Sequence, residues 1–187
     1  MSYRVLIIPE DFVKDEGILT PVIAAMLEAA GKPRAKIEVC HNPRLGGTGQ
    51  ALKKDRIAGI VDMYPMVDLF LLCVDRDGLP GRRERLDNIE RHVQEACGKR
   101  LLAENAWQEV EVWALAGLQN LPTSWVWSDV RAEVSVKETY FLPMAQQEGV
   151  DLEPDEGRGA LGKRAAANYT RIHQLCPEDI QALQARI

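Results

Sequence analysis

Apolar residues follow two rhythms along this chain. Residues 3–8, 35–39 and 67–74 form short apolar or β-branched runs that predict strands. The third run, VDLFLLCV, is nearly unbroken, as expected for a strand buried on both faces. Apolar positions instead recur at helical spacing over 18–30, 50–63 and 81–97. A glycine-rich loop covers 45–49, residues 100–103 predict a short fourth strand, and another helical pattern starts near Gln108. Strands alternating with helices imply an α/β fold with a mainly parallel sheet and right-handed crossovers.

Past about Leu118 the character changes. Pro122 and Ser124 mark turns, residues 136–147 predict a helix, and 150–159 read as an exposed acidic loop. Helices are expected over 160–175 and 178–187, separated at Cys176-Pro177, with Pro177 in the first turn of the last one. The expected organisation is therefore an α/β core over 1–118 and a helical C-terminal extension over 119–187 packed on it.

Composition narrows the class. A chain of 187 residues, 46% hydrophobic, supports one sizeable core. No unbroken apolar stretch is long enough to span a membrane, and the opening MSYRVLIIPEDF meets charge early, so a cytoplasmic protein without membrane association is expected. Cys40, Cys73, Cys97 and Cys176 form no CxxC pair, which predicts reduced, mostly buried thiols rather than a zinc site or a disulfide framework. The net charge of −5 predicts weak unaided affinity for nucleic acid. Two basic groups, Arg82, Arg83 and Arg85, then Arg158, Lys163, Arg164 and Arg171, read equally as phosphate contacts or as solvated helix faces.

The candidate chemistry is acidic. Ligands of open parallel sheets bind at the carboxyl ends of the strands, and two acidic clusters fall there. The first strand ends in Glu10-Asp11 with Asp15-Glu16 beyond it, and the third ends in Asp75-Arg76-Asp77-Gly78. If the chain stays extended, Asp75 and Asp77 point the same way and suit a divalent cation, with Glu10 as a further ligand or as general acid or base. Asp15 and Glu16 serve equally well as acids at a helix start. The LGGTG segment lacks the P-loop Lys-Ser/Thr ending and reads as a turn, and the three histidines show no ligand spacing.

The segments IIPEDFVKDE and LLCVDRDG resemble the Glu and Asp-x-Asp-Gly motifs of the Toprim family. EVEVWALA at 109–116, VKETYF, GKRAAANY and IHQLCPEDIQAL are similar to segments of small stand-alone Toprim-like proteins, related to OLD nucleases, of prokaryotic defence systems. The resemblance implies a Rossmann-like Toprim fold and a metal-dependent nuclease, a Toprim-type hydrolase that is the effector of an antiviral system. It implies Mg²⁺ or Mn²⁺ held by Glu10, Asp15, Asp75, Asp77 and Glu111. It further implies Lys137 or Lys163 as the lysine at the scissile phosphate, DNA or RNA as substrate, and an ATPase partner subunit. Two departures stand out: Asp11 replaces the usual glycine after Glu10, and Asp15 comes five rather than four positions after it, leaving Asp11 or Glu16 as substitutes. Glu109 is the alternative to Glu111, and Trp113 is expected in the core. DLFLLCVDRDGLPG also looks like the phosphoacceptor strand of response-regulator receivers, which keeps a signalling module as the alternative, beside a catalytically degenerate Toprim binding subunit.

Overall fold

A computed structural model describes residues 2–11 and 13–187; Met1 and Phe12, both in the N-terminal stretch discussed above, lie outside the described residues. Four strands form one sheet: β1 (Arg4–Pro9), β2 (Lys36–Val39), β3 (Leu69–Asp75) and β4 (Leu101–Ala106). All pair in parallel, in the order β2-β1-β3-β4, with Val5 beside Leu69 and Phe70 beside Leu101. Helices α1 (Glu16–Ala29), α2 (Thr48–Ala51), α3 (Lys54–Met63) and α4 (Arg82–Cys97) connect them. After β4 come α5 (Glu111–Gly117), α6 (Trp127–Ala132), α7 (Leu142–Gln147), α8 (Arg158–Ala166), α9 (Tyr169–Leu175) and α10 (Ala182–Ala185). Single π-helical turns, Lys137–Phe141 and Pro177–Gln181, lead into α7 and α10. This is a Rossmann-like α/β fold with a helical C-terminal part.

Alternation along the strands sorts the core into two layers. Val5, Ile7, Leu69, Leu71 and Cys73 face one side, against α1, α5 and the C-terminal helices. Leu6, Ile8, Phe70, Leu72 and Val74 face the other, against α3 and α4. The first layer runs from Val5 to Leu183, so the C-terminal helices complete the core on that side rather than standing apart. Trp113 is fully buried there, and its Nε1 donates to Asp179 at 2.8 Å.

β4 is longer than its apolar pattern. Glu104 and Asn105 interrupt the hydrophobic run, yet the strand continues to Ala106 because Glu104 is buried between Arg83 (3.0 Å) and Arg186 (3.0 Å). The helix expected over 50–63 is two helices parted at Leu52-Lys53, and that expected over 160–175 breaks at Ala167-Asn168. The Asn168 side chain donates instead to the carbonyl of Gly117 at 3.0 Å. Cys40, Cys73 and Cys176 are buried free thiols and Cys97 is half-buried. Among the described residues no helix is long and apolar enough to cross a membrane.

Candidate functional site

At the carboxyl end of the sheet, one recess of about 190 Å³ gathers Glu10, Asp11, Asp15, Asp75, Glu109 and Glu111, with Lys14, Lys137 and Arg158 as its basic groups. The acids arrive from the β1–α1 connection, the end of β3 and the start of α5. Glu10 follows β1 and is anchored by its N–H to the Cys73 carbonyl at 3.1 Å. Asp75 closes β3, Asp15 immediately precedes α1, and Glu111 begins α5. A parallel sheet brings such ends together because all its strands terminate on the same edge.

The acids other than Glu111 accept hydrogen bonds mostly from backbone N–H groups. The Asp75 N–H donates to Glu10 Oε2 at 3.3 Å, and the Thr48 hydroxyl donates to Glu10 Oε1. Asp75 Oδ1 accepts the Val110 N–H at 2.9 Å, and Asp15 Oδ2 accepts the Asp11 N–H at 3.1 Å. Glu109 accepts the Lys137 N–H at 2.7 Å. Thr48 belongs to the LGGTG segment, so that loop acts as a support for Glu10 rather than only as a turn.

Arg158 was one of the basic residues expected either at phosphates or on a solvated face. Instead it is only 2% exposed and pairs with Glu111 and Glu156 inside the protein. A buried guanidinium requires such partners, and removing Glu111 would leave Glu156 to offset the charge, a destabilising loss. Arg82 and Arg83 are also committed internally, to Asp77 at 3.0 Å and to Asp87, Glu90 and Glu104 respectively. Arg164 pairs with Glu148, and Arg171 donates to the Ala116 carbonyl.

Asp77 departs from the extended geometry expected of it. β3 ends at Asp75, and Asp77 takes a left-handed backbone with φ of 54°. Gln108 sets this turn: its carbonyl accepts the N–H groups of Arg76 (2.7 Å) and Asp77 (3.2 Å), and its side chain accepts that of Gly78 (2.8 Å). The Asp77 carboxylate therefore faces Arg82 and does not line the recess with Asp75. Lys163 is exposed on α8 and outside the recess, whereas Lys137 lines it and pairs with Glu156 at 3.2 Å. Glu16 pairs with His41 at 3.4 Å, outside the recess. Sequence reasoning passed over Lys14 and Arg158 as members of the site; a basic residue within an acid-rich loop was the available signal for the first.

Burial dominates the electrostatics. It pushes Asp15 up to about 7, with Glu111 and Asp11 adding to the rise, and pushes Glu109 up to about 7. Asp75 is held well above the usual carboxylate range by burial and then by Asp15, Glu111, Glu10 and Asp77. A raised carboxyl keeps its proton in the fold while the unfolded chain releases it, so stability declines as pH rises from about 4 to about 7. Glu156, lowered to about 2 by Arg158, titrates below that window. In a chelating buffer the melting temperature should accordingly be lower at about pH 8 than at about pH 5. Equal values, or the reverse order, would contradict this account.

Among the described residues, no three His, Cys, Asp or Glu side chains stand in ready metal-ligating geometry. The donor set nevertheless suits a hard divalent cation. It is composed of carboxylate oxygens, and the negative field on Asp75 is relieved by either a proton or a cation. A more apolar recess of about 200 Å³, between 63–67 and the starts of β1 and β2, lies at the opposite end of the strands and holds no comparable acid cluster. No protein-family model, no curated protein and no solved structure matches this chain.

Proposed function

We propose that this protein is a Mg²⁺- or Mn²⁺-dependent phosphodiesterase acting on nucleic acid, a nuclease of the Toprim type. The observation that carries the reading is the meeting of Glu10, Asp15, Asp75 and Glu111, from the β1–α1 connection, the end of β3 and the start of α5, in one recess at the carboxyl edge of a parallel sheet. The motif resemblance adds to it.

Glu10 and Asp75 are the residues that would hold a cation, with Asp15 and Glu111 as further oxygen donors; Asp77, turned toward Arg82, is not among them. A bound ion supplies charge stabilisation to a phosphodiester oxygen and acidifies water. The chain's own groups do the rest. Lys137, beside the acids, is positioned to meet a phosphate oxygen once it leaves Glu156. Arg158 neutralises Glu111 and so lowers the repulsion that four clustered carboxylates would otherwise exert. Glu10, bonded by the Thr48 hydroxyl and the Asp75 N–H, is oriented to accept a proton from an attacking water. The net charge of −5 and the pairing of Arg82, Arg83 and Arg158 with acids of the chain leave Lys14 as the exposed basic residue of the recess, which supports a partner, an ATPase by resemblance, as a further source of substrate grip.

The deciding experiment incubates the purified protein with labelled single- and double-stranded DNA and RNA, with Mg²⁺, with Mn²⁺ or with chelator. Cleavage only with a cation is expected. Incubation with a small phosphodonor and Mg²⁺ should leave the intact mass unchanged; a stable added phosphoryl group that vanishes in Asp75→Asn would replace the nuclease with a phosphoacceptor module.

A further inference from the structure

The two edges of the sheet are treated differently. At β4 the outward backbone groups are answered by side chains: the Ala103 N–H donates to Glu90 at 2.6 Å, and the Ala103 carbonyl accepts from Arg83 (2.8 Å) and Arg186 (3.0 Å). At β2 nothing comparable occurs among the described residues. This strand pairs only with β1, and no described strand meets its outer edge. Lys36 and Cys40 donate their N–H groups inward, to the Tyr3 (2.7 Å) and Ile7 (2.8 Å) carbonyls. Alternation therefore turns the N–H and C=O groups of Ile37 and Val39 outward, and such an edge is a template for another strand.

The side chains of β2 alternate as well. Ile37 and Val39 pack toward α1, whereas Lys36 and Glu38 are exposed on the opposite face and line the recess of about 200 Å³ with Met63 and Met66. Both methionines are largely exposed, at 56% and 69%. Lys36 and Glu38 form no ion pair among the described residues.

We propose that β2 pairs antiparallel with β2 of a second copy of this chain, about a twofold axis through Ile37. Directly opposed residues share a face, so an axis normal to the sheet allows only registers centred on a residue. Centring on Lys36 or on Glu38 sets like charges opposite each other, which is destabilising. Centring on Val39 sets Glu38 opposite Cys40 and Lys36 opposite Asn42, both beyond the end of the strand. Centring on Ile37 satisfies every group. The two Ile37 residues exchange their outward hydrogen bonds, and each Lys36 lies opposite a Glu38, at the non-hydrogen-bonded positions where side chains approach most closely. A lysine on an edge ordinarily discourages pairing, but a glutamate two positions on converts that repulsion into a preference for one register. The methionines of both copies fall on the face that carries these ion pairs. Because the joined strands run in opposite directions, the two acidic recesses open at opposite ends of the continuous sheet and stay accessible. Nothing in this pairing depends on the nuclease reading.

Sedimentation velocity of the full chain over a range of concentrations tests the pairing. The wild type should move from one to two chain masses as concentration rises. Lys36→Glu and Glu38→Lys each turn both symmetry-related pairs into like charges, and each should weaken dimerisation about tenfold or more. Both residues are exposed, so neither change disturbs the core. Lys36→Glu combined with Glu38→Lys inverts each pair and should restore wild-type dimerisation. A wild type that stays monomeric at every concentration would overturn the inference. So would a dimer that ignores both single changes, or a double variant that fails to recover. Mass is read without substrate, so a monomeric wild type leaves the nuclease reading standing, and a protein that cleaves nothing leaves the dimer standing.

Discussion

Asp75→Asn is expected to reduce phosphodiester cleavage at least about a hundredfold, beyond the loss usual for a residue that only supports a metal ligand. The same substitution should raise the melting temperature in chelator at about pH 8, where the fold must hold Asp75 against its preference for water, as a proton taken up or as a charge among four other acids. Asparagine keeps an oxygen for the Val110 N–H, so the turn into α5 retains its hydrogen bond. The opposed directions matter. A merely destabilised protein loses activity and melting temperature together, whereas a displaced cation ligand loses activity while the apo fold gains. Full turnover by Asp75→Asn with Mg²⁺ would remove the acidic centre as the seat of catalysis.

Gly162→Ala should unfold the protein at markedly lower temperature, with no change to any candidate site residue. A methyl group at Gly162 would lie 2.4 Å from the Gly17 carbonyl oxygen and 2.9 Å from the Ile18 Cα. Both are backbone atoms that cannot rotate away. Gly117 is similarly placed, its added carbon 2.4 Å from the Ala165 carbonyl oxygen. These close approaches let α8 lie against both α1 and α5. Overpacking costs about 1–3 kcal/mol, with a backbone contact at the upper end, and a chain of this size loses about 2–4 °C per kcal/mol. Arg158, at the start of α8, is then less well held against Glu111, so cation-dependent activity should fall as well. An unchanged melting temperature would mean that the helices separate freely, against the packing described.

The α1–α8 contact also marks a limit of reading the chain linearly. The small residues of GRGALGKRAA fit an ordinary helix pattern, and nothing local says that Gly162 must meet Gly17, more than 140 positions earlier. Arg158 shows the same limit. A charged residue beside acidic neighbours reads as solvent-facing, because local pattern carries no information about a partner as distant as Glu111.

Periodicity and strand-end acids alone determined the parallel α/β core and the candidacy of Glu10 and Asp75. The reason is physical: β3 cannot bury six consecutive residues unless helices cover both faces, and the edge where parallel strands end is where short polar turns must fall. Glu111 and Lys137 came from the motif resemblance, and the structure places both in the recess. Only the tertiary structure decided which charges are paired, that Gln108 turns Asp77 toward Arg82, that Lys137 and not Lys163 joins the acids, and that β4 runs through Glu104. Each of those depends on a hydrogen bond or ion pair between residues far apart in sequence, and such bonds exist only once packing has brought the partners together and withdrawn them from water.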